Sequence, residues 1–404
     1  MPGLRTIAVT VAVNGGARME DEARSGWSHL LEHLVFKGAG DMGARDIVER
    51  IEAEGGSINA ATGYERTSFD IRALKGSLPL AMQVLSDLVF RPTLSPEEIE
   101  REKDVVAQEI AEAFDTPDDH VFEMAQSQAY AGQSLGRHIL GSVASLAPAD
   151  KAAVGEWRSQ LYSPDRMVVA VSGAVEEAEL LMLAETWFGH ATPAPAAAAT
   201  PAVFSGGEAR LARKIEQANL VFQLPSLGAR DSRLPALRLF TEILGGGMAS
   251  RLFQSAREDR GLAYAVDAYH ETYDDQGLLG VYAGAAAERS TELAELCAVE
   301  ILDLAEKGPT EQELARAKAV LNASLWMADE SPASRSGRLA GQTLVFGAPV
   351  SSESSAARID AQTAQDLREV GQAMAAPGLS ATAVLGPRAA GSAGRAFRQR
   401  MAAG

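Results

Sequence analysis

"SHLLEHLVFKG", residues 28–38, carries two of the chain's six histidines, four residues apart with a glutamate between them. At about 100° per residue, His29, Glu32, His33 and Phe36 fall on one third of a helix circumference. Leu30, Leu31, Leu34 and Val35 take the opposite side. The stretch therefore reads as a helix with an aliphatic back and a chemical front. Imidazoles at i and i+4 project from consecutive turns and can share one Zn²⁺ at about 2.0–2.1 Å each. Glu32, beside His33, can reach a water at such an ion without being a ligand. The competing reading is a buried helix whose histidines only hydrogen-bond, which suits a lone histidine better than H-x-x-E-H on one polar face. The motif is H-E-x-x-H reversed, and running the helix the other way keeps the relation of the three side chains.

A catalytic zinc takes three protein ligands and keeps a fourth position for water, so one more ligand must come from elsewhere. "EREKDVVAQEIAE", residues 100–112, is the candidate. It follows "LSPEEIE", in which Ser95 can cap a helix, Pro96 suits its first turn, and Glu97 and Glu98 favour its N-terminus. Glu102 and Glu109 are two turns apart and share a face. Taken alone, they read equally as a solvated acidic surface; the first motif makes them candidates.

These residues resemble the inverted-motif zinc peptidases of the pitrilysin/insulinase family, in the branch of mitochondrial processing peptidase and its short bacterial relatives. His29-Leu-Leu-Glu32-His33 is followed by 75 residues and then Glu109. Further matches are "EHLVFKGAG", "IEAEGGSINAATGYERTSFDI", "RPTLSPEEIEREKDVVAQEI" and "SRLFQSAREDRGLAYAV". The resemblance implies one zinc ion per chain held by His29, His33 and Glu109, Glu32 as general base, and Glu102 as an acidic residue behind the ligands that orients them. It also implies that Arg257 and Tyr264, seven residues apart in the second half, help bind and polarise the substrate. On their own these two read as a surface charge and a half-buried strand residue.

Composition agrees with a globular enzyme. The 404 residues suggest two to three domains. With 54 acidic against 37 basic residues and a net charge of −17, general nucleic-acid binding is disfavoured. Cys297 is the single cysteine, so no intrachain disulfide forms, and it reads as a core residue on a helix. The sequence shows neither a run of 18 apolar residues nor a signal-peptide pattern, which makes a cytoplasmic location without a membrane span the default expectation. "RTIAVTVAVNGGARMED" reads as an alternating strand and a turn beginning almost at Met1. The resemblance implies another strand before it, so either an upstream segment is missing or the start is genuinely shorter.

Along the chain, "HATPAPAAAATPAVFSGGE", residues 190–208, is rich in alanine, proline and glycine and reads as a linker. The expected division is a zinc-binding domain over 1–190, a linker over 191–208 and a second domain over 209–404. The halves repeat. "LSPEEIEREKDVVAQEI" resembles "GPTEQELARAKAVLNASL" at an offset of 215, which turns Glu102 into Ala317 and Glu109 into Ser324. "HLLEHLVFKG" matches "LRLFTEILGGG" at an offset near 210, where the histidines become Leu239 and Ile243. Only the first half kept its ligands. Gly245 to Gly247 are not a phosphate loop, because G-x-x-x-x-G-K-[ST] is lacking; they are expected to end one helix, with Met248 to Arg260 forming another.

"GGSINAATGYERTSFDIRA", residues 55–73, reads as a turn, a short strand, a second turn and an alternating strand. A short edge strand has unpaired N–H and C=O groups to which an extended peptide can add, and in the family the stretch matching Ser57, Ile58, Asn59 and Ala60 does so. Phe36 is expected to line the pocket beside the cleaved bond, with a core position as the alternative. The expected fold is α+β: two duplicated α/β sandwich domains, each a mainly antiparallel sheet with helices on one face, closing as a clamshell. The expected function is a zinc endopeptidase for peptides or unfolded segments, acting as a homodimer or as a heterodimer with a paralogue. The alternatives are a non-catalytic or partner-dependent subunit of a heterodimeric peptidase, and a peptide-binding scaffold.

Overall fold

The structure, a computed structural model, describes residues 1, 3–195 and 199–403. The first half runs β1 (Thr6–Val13), α1 (Trp27–Val35), β2 (Ser57–Thr62), β3 (Thr67–Leu74), α2 (Leu78–Phe90), α3 (Pro96–Asp115), α4 (Pro117–Ala129) and β4 (Met167–Gly173). The second runs β5 (Gly207–Ala212), β6 (Gln217–Ser226), α5 (Leu234–Gly245), β7 (Ala263–Thr272), β8 (Gly277–Ala286), α6 (Ser290–Lys307), α7 (Glu311–Glu330), α8 (Pro332–Phe346) and β9 (Ala381–Gly386). Further helices lie between these and after β9.

Two sheets result. One has the order β2-β3-β1-β4 and is antiparallel throughout. The other has the order β5-β9-β6-β8-β7, antiparallel except for the β5–β9 pair. The duplication is visible in this topology. The series β1-α1-β2-β3-α2-α3 recurs as β6-α5-β7-β8-α6-α7, and the strand order β2-β3-β1-β4 recurs as β7-β8-β6-β9, with β5 added at the far edge. Each sheet belongs to its own compact unit. Cys297 is buried on α6, where burial pushes its thiol up to about 12 and leaves it inert.

The alternation in β1 decides how the first sheet is covered. Ile7, Val9, Val11 and Val13 face a core shared with α1 and α2. The other face carries the small residues Ala8, Thr10 and Ala12, which let a helix approach closely. That helix is α8: Ala340 packs with Ala12 of β1 and Ala170 of β4, and Thr10 Oγ1 lies 3.0 Å from Ser336 Oγ. The sheet thus carries a helix on the face opposite the expected helical layer as well.

The compact units are not contiguous halves. The first comprises Met1–Ala111, His138–Thr200 and Trp326–Ser351; the second comprises Glu112–Arg137, Pro201–Leu325 and Ser352–Gly404. Compared with the expected division at 190 and 209, residues 112–137 fall in the second unit and residues 326–351 in the first. In the second unit α4 packs on β6 and β9, the counterpart of α8 on β1 and β4. Part of the expected linker, 196–198, lies outside the described residues. Its end is tied to the second unit: Phe204 is buried edge-on to Tyr130, and the Ser205 N–H donates to the Ala129 carbonyl.

The helix expected over Met248 to Arg260 begins only at Arg251 and is π-helical over Phe253–Asp259. A widened turn of this kind is rare and marks a local departure from α geometry. Met248 to Ser250 instead form a turn closed by Ser250 N–H to the Gly247 carbonyl.

Candidate metal centre

Helix α1 has nine residues, too few to be stable alone. Leu30, Leu31, Leu34 and Val35 are all buried in the core of the first unit. At about 1.5–3 kcal/mol for each buried aliphatic side chain, packing holds the helix. The start is held by a side chain outside it: the buried Glu20 carboxylate accepts from the N–H of Gly26 at 2.8 Å and of Ser28 at 2.7 Å. Gly26 sits at φ 89, and a Cβ there would meet the Leu140 carbonyl oxygen at 2.4 Å. Only glycine fits this approach.

The polar face of α1 meets α3. Glu109 Oε2 lies 3.7 Å from His29 Nε2 and 3.6 Å from His33 Nε2, and the imidazole centroids are 4.6 Å apart. The three candidate ligand atoms lie within 4.8 Å of one another, and no other such metal-holding group occurs among the described residues. Ligands at about 2.0–2.1 Å in tetrahedral array are separated by about 3.4 Å, so the spacing fits a zinc ion with little adjustment. Burial, and then the neighbouring His33 ring, lower His29 to about 4, so its ring is neutral at physiological pH with a free lone pair for a cation.

Glu102 is buried behind the centre, with Oε2 at 3.1 Å from His33 Nδ1 and Oε1 at 2.9 Å from Lys37 Nζ. It fixes the His33 ring with Nε2 toward Glu109. His29 Nδ1 has no such partner among the described residues. Glu32 lies on α1 between the two histidines and outside the converging set. Burial raises its carboxyl above the usual range, while Thr62 and His33 pull it back. Thr62 lies against it, yet neither Thr62 Oγ1 nor Glu32 Oε2 completes a hydrogen bond of normal geometry, which leaves a carboxylate oxygen free for a ligand.

Phe36 caps the end of α1 and is partly buried against the first unit's core. Ser57, Ile58, Asn59 and Ala60 lie on β2, whose only strand neighbour among the described residues is β3, which makes it an edge strand. Arg257 and Tyr264 belong to the second unit. There the Arg257 guanidinium stacks 4.8 Å over the Phe253 ring, and Tyr264 is 65% exposed near the start of β7, an edge strand. Its ring is more open than a half-buried strand residue would be.

Sequence reasoning missed Glu20 and Lys37. Lys37 lies four residues after His33, but nothing in the spacing shows that it would reach Glu102. Glu20 lies in an acidic turn, and its role appears only once the turn folds back on Gly26.

Two predictions arise here. Glu109→Ala should abolish tight zinc binding, whereas Glu102→Ala should weaken it by roughly 10–100-fold. Titration against a metal indicator separates them, and equal losses would mean that Glu109 is not the direct ligand. Glu20→Ala leaves two buried N–H groups without an acceptor, at about 1–3 kcal/mol each. Urea melts should show a loss of that order, smaller for Glu20→Gln, which retains one acceptor.

Comparison with known proteins gives the family of the chain. Residues 2–143 match the family model described as insulinase (peptidase family M16), and residues 149–321 match the one described as the peptidase M16 inactive domain. A Bacillus subtilis protein named an uncharacterized zinc protease is 34% identical over 86% of this chain and 85% of its own length. One of the same description from Streptomyces coelicolor is 33% identical over 92% of this chain and 83% of its own. The crystal structure of a protease from Helicobacter pylori superimposes with a TM-score of 0.88 at 20% identity, covering 96% of this chain and 95% of that one. The M16 inactive domain from Pseudomonas fluorescens gives 0.88 at 19% identity, over 95% and 94%. These last two show the fold, a two-domain mixed α/β architecture. Among the described residues no helix is long and apolar enough to cross a membrane. The chain belongs to the pitrilysin/insulinase family, peptidase family M16.

Proposed function

We propose that this chain is a zinc-dependent endopeptidase that hydrolyses peptides or unfolded segments, binding them as an added strand on the free edge of β2. The observation that carries this reading is the convergence of His29, His33 and Glu109 beside Glu32. One zinc ion per chain, held by those three side chains, would supply Lewis acidity at the scissile carbonyl and a water of lowered pKa. Glu32 takes the proton of the attacking water and returns it to the leaving amine; its raised pKa suits both transfers. Glu102, backed by Lys37, keeps His33 in the ligating tautomer. Ser57 to Ala60 pair with the substrate main chain, which tolerates varied side chains, and Phe36 borders the site at the end of α1. Arg257 and Tyr264 contribute from the second unit to substrate binding and to the charge that develops on the carbonyl oxygen.

The inactive-domain match covers residues 149–321, in which Leu239, Ile243 and Ala317 stand at the places of ligands and of Glu102. It begins 40 residues beyond Glu109 and so leaves the first-half centre outside it, which argues against a non-catalytic subunit. A purely structural zinc normally takes four protein ligands, which argues against a scaffold. A cytoplasmic location and assembly as a homodimer, or with a paralogue, complete the proposal. The test is digestion of a diverse peptide mixture by the pure protein with and without a chelator. Cleavage that stops on chelation and returns with zinc is expected; binding of zinc without any cleavage would favour the partner-dependent reading.

A further inference from the structure

We propose that Arg72, with the cavity on the outer face of β2 and β3, is a subsite that selects an acidic side chain of the bound peptide. The selected position lies four or five residues to the C-terminal side of the cleaved bond. The proposal rests on strand addition at β2 and deepens it.

Burial alternates along both strands. Ile58, Ala60 and Thr62 turn inward on β2, while Ser57, Asn59 and Ala61 are exposed on the outer face. On β3, Phe69 and Ile71 turn inward, and Asp70 and Arg72 turn outward. Ser57 pairs with Arg72 and Asn59 with Asp70. Over this outer face lies a cavity of about 630 Å³, bounded by Ser57, Asn59 and Arg72 on the sheet and by Ser331, Ser334 and Gly337 opposite. At Gly337 a Cβ would meet nothing within 4 Å, so this wall leaves room for a side chain.

The charges here are unequal in availability. Asp70 accepts from Thr10 Oγ1 at 2.5 Å and from Ser68 Oγ at 3.1 Å, so its short side chain is held against the sheet. The exposed Arg72 guanidinium makes no ion pair among the described residues. A peptide strand added at β2 lies two strand spacings, about 9.6 Å, from β3. Directly opposed residues of paired strands point to the same face, so the peptide residue opposite Ser57 points into the cavity. Ser57 is small, and an arginine reaching past it can meet a glutamate or aspartate coming the other way. Asp70, short and held by two hydroxyl donors, does not reach past Asn59 toward the added strand as Arg72 reaches past Ser57.

The position along the substrate follows from β2 itself. Thr62 lies against Glu32, and Ser57 is five residues, about 16 Å, further back along the strand. Antiparallel pairing is the more stable mode, so a bound peptide runs from Thr62 toward Ser57. The residue opposite Ser57 then follows the cleaved bond.

The test is positional scanning of a peptide library with the zinc-loaded protein, wild type against Arg72→Glu, with cleavage sites read by mass spectrometry. The wild type should favour Glu and Asp over Lys and Arg at that position by about five-fold, the size of a partly exposed ion pair. Arg72→Glu should invert the preference there and leave the profile beside the cleaved bond unaltered. Gly337→Leu should reduce acceptance of large side chains at the same position. Cleavage without a charge preference there, or a preference that Arg72→Glu does not move, overturns the subsite and leaves the proposed activity standing. Absence of any cleavage overturns the proposed activity, and the subsite is then decided by binding. Fluorescence anisotropy with the zinc-loaded Glu32→Gln variant gives a second readout: an acidic-tailed extended peptide should bind more tightly than its lysine counterpart, and equal binding contradicts the subsite.

Discussion

Glu32→Gln is expected to keep its zinc and lose peptide hydrolysis by roughly 10²–10⁴, the usual cost of removing a general base. The geometry separates the two functions. The converging atoms belong to His29, His33 and Glu109, and Glu32, on the same helix face, is outside that set, with Oε2 buried and without a hydrogen-bond partner among the described residues. Burial raises its carboxyl, which brings a carboxylate nearer to the range in which it both takes and returns a proton. Glutamine keeps the shape and removes the base. Metal analysis of the purified variant alongside peptide turnover checks this, and a variant that purifies without metal would make Glu32 a ligand.

Tyr264→Phe should lower turnover by roughly 10²–10³, the cost of one lost oxyanion donor, with zinc content unchanged. Tyr264 is 65% exposed, so the missing hydroxyl leaves no buried partner behind and the fold should melt at the same temperature. That combination distinguishes a catalytic contribution from a structural one. Arg257→Ala should also lose activity, with more of the effect in KM, because a guanidinium offers charge and several donors to substrate groups. Parallel measurement of kcat, KM and zinc content would detect a failure: unchanged kinetics in both variants would mean that the second unit takes no part in the chemistry.

What the sequence made legible was local. His29, Glu32 and His33 lie on one helical turn, and the aliphatic residues behind them are periodic, so the helix and its chemical face follow from spacing alone. The β2–β3 hairpin was legible for the same reason, through its turn residues and its alternation. Glu109 lies 76 positions from His33, and no spacing rule selects it from among the acidic residues of α3; that step needed the family resemblance. The duplication could be read because α1 and α5, and α3 and α7, keep the same pattern of apolar positions after the ligands are lost.

The segment exchange was not legible. Small residues on one face of β1 announce close approach without saying which helix comes. Because the three ligands fall before residue 110 and the linker lies near 190, the sequence favours an N-terminal fragment ending near Thr200 that folds well enough to bind zinc but does not cleave peptides. The structure alters this expectation. Such a fragment lacks α8, which covers Ala12 and Ala170, and retains residues 112–137, which belong to the second unit. It should bind a hydrophobic dye and melt without a cooperative transition, whereas the intact chain should do neither.

Anomalous diffraction at the zinc edge, on crystals of the zinc-loaded protein, tests the central claim most directly. A single peak per chain about 2.0–2.1 Å from His29 Nε2, His33 Nε2 and a Glu109 carboxylate oxygen, with Glu32 and Glu102 outside bonding distance, is the predicted result. A peak elsewhere, or one bonded to Glu32 or Glu102 in place of Glu109, would contradict the assignment of ligand, base and orienting carboxylate.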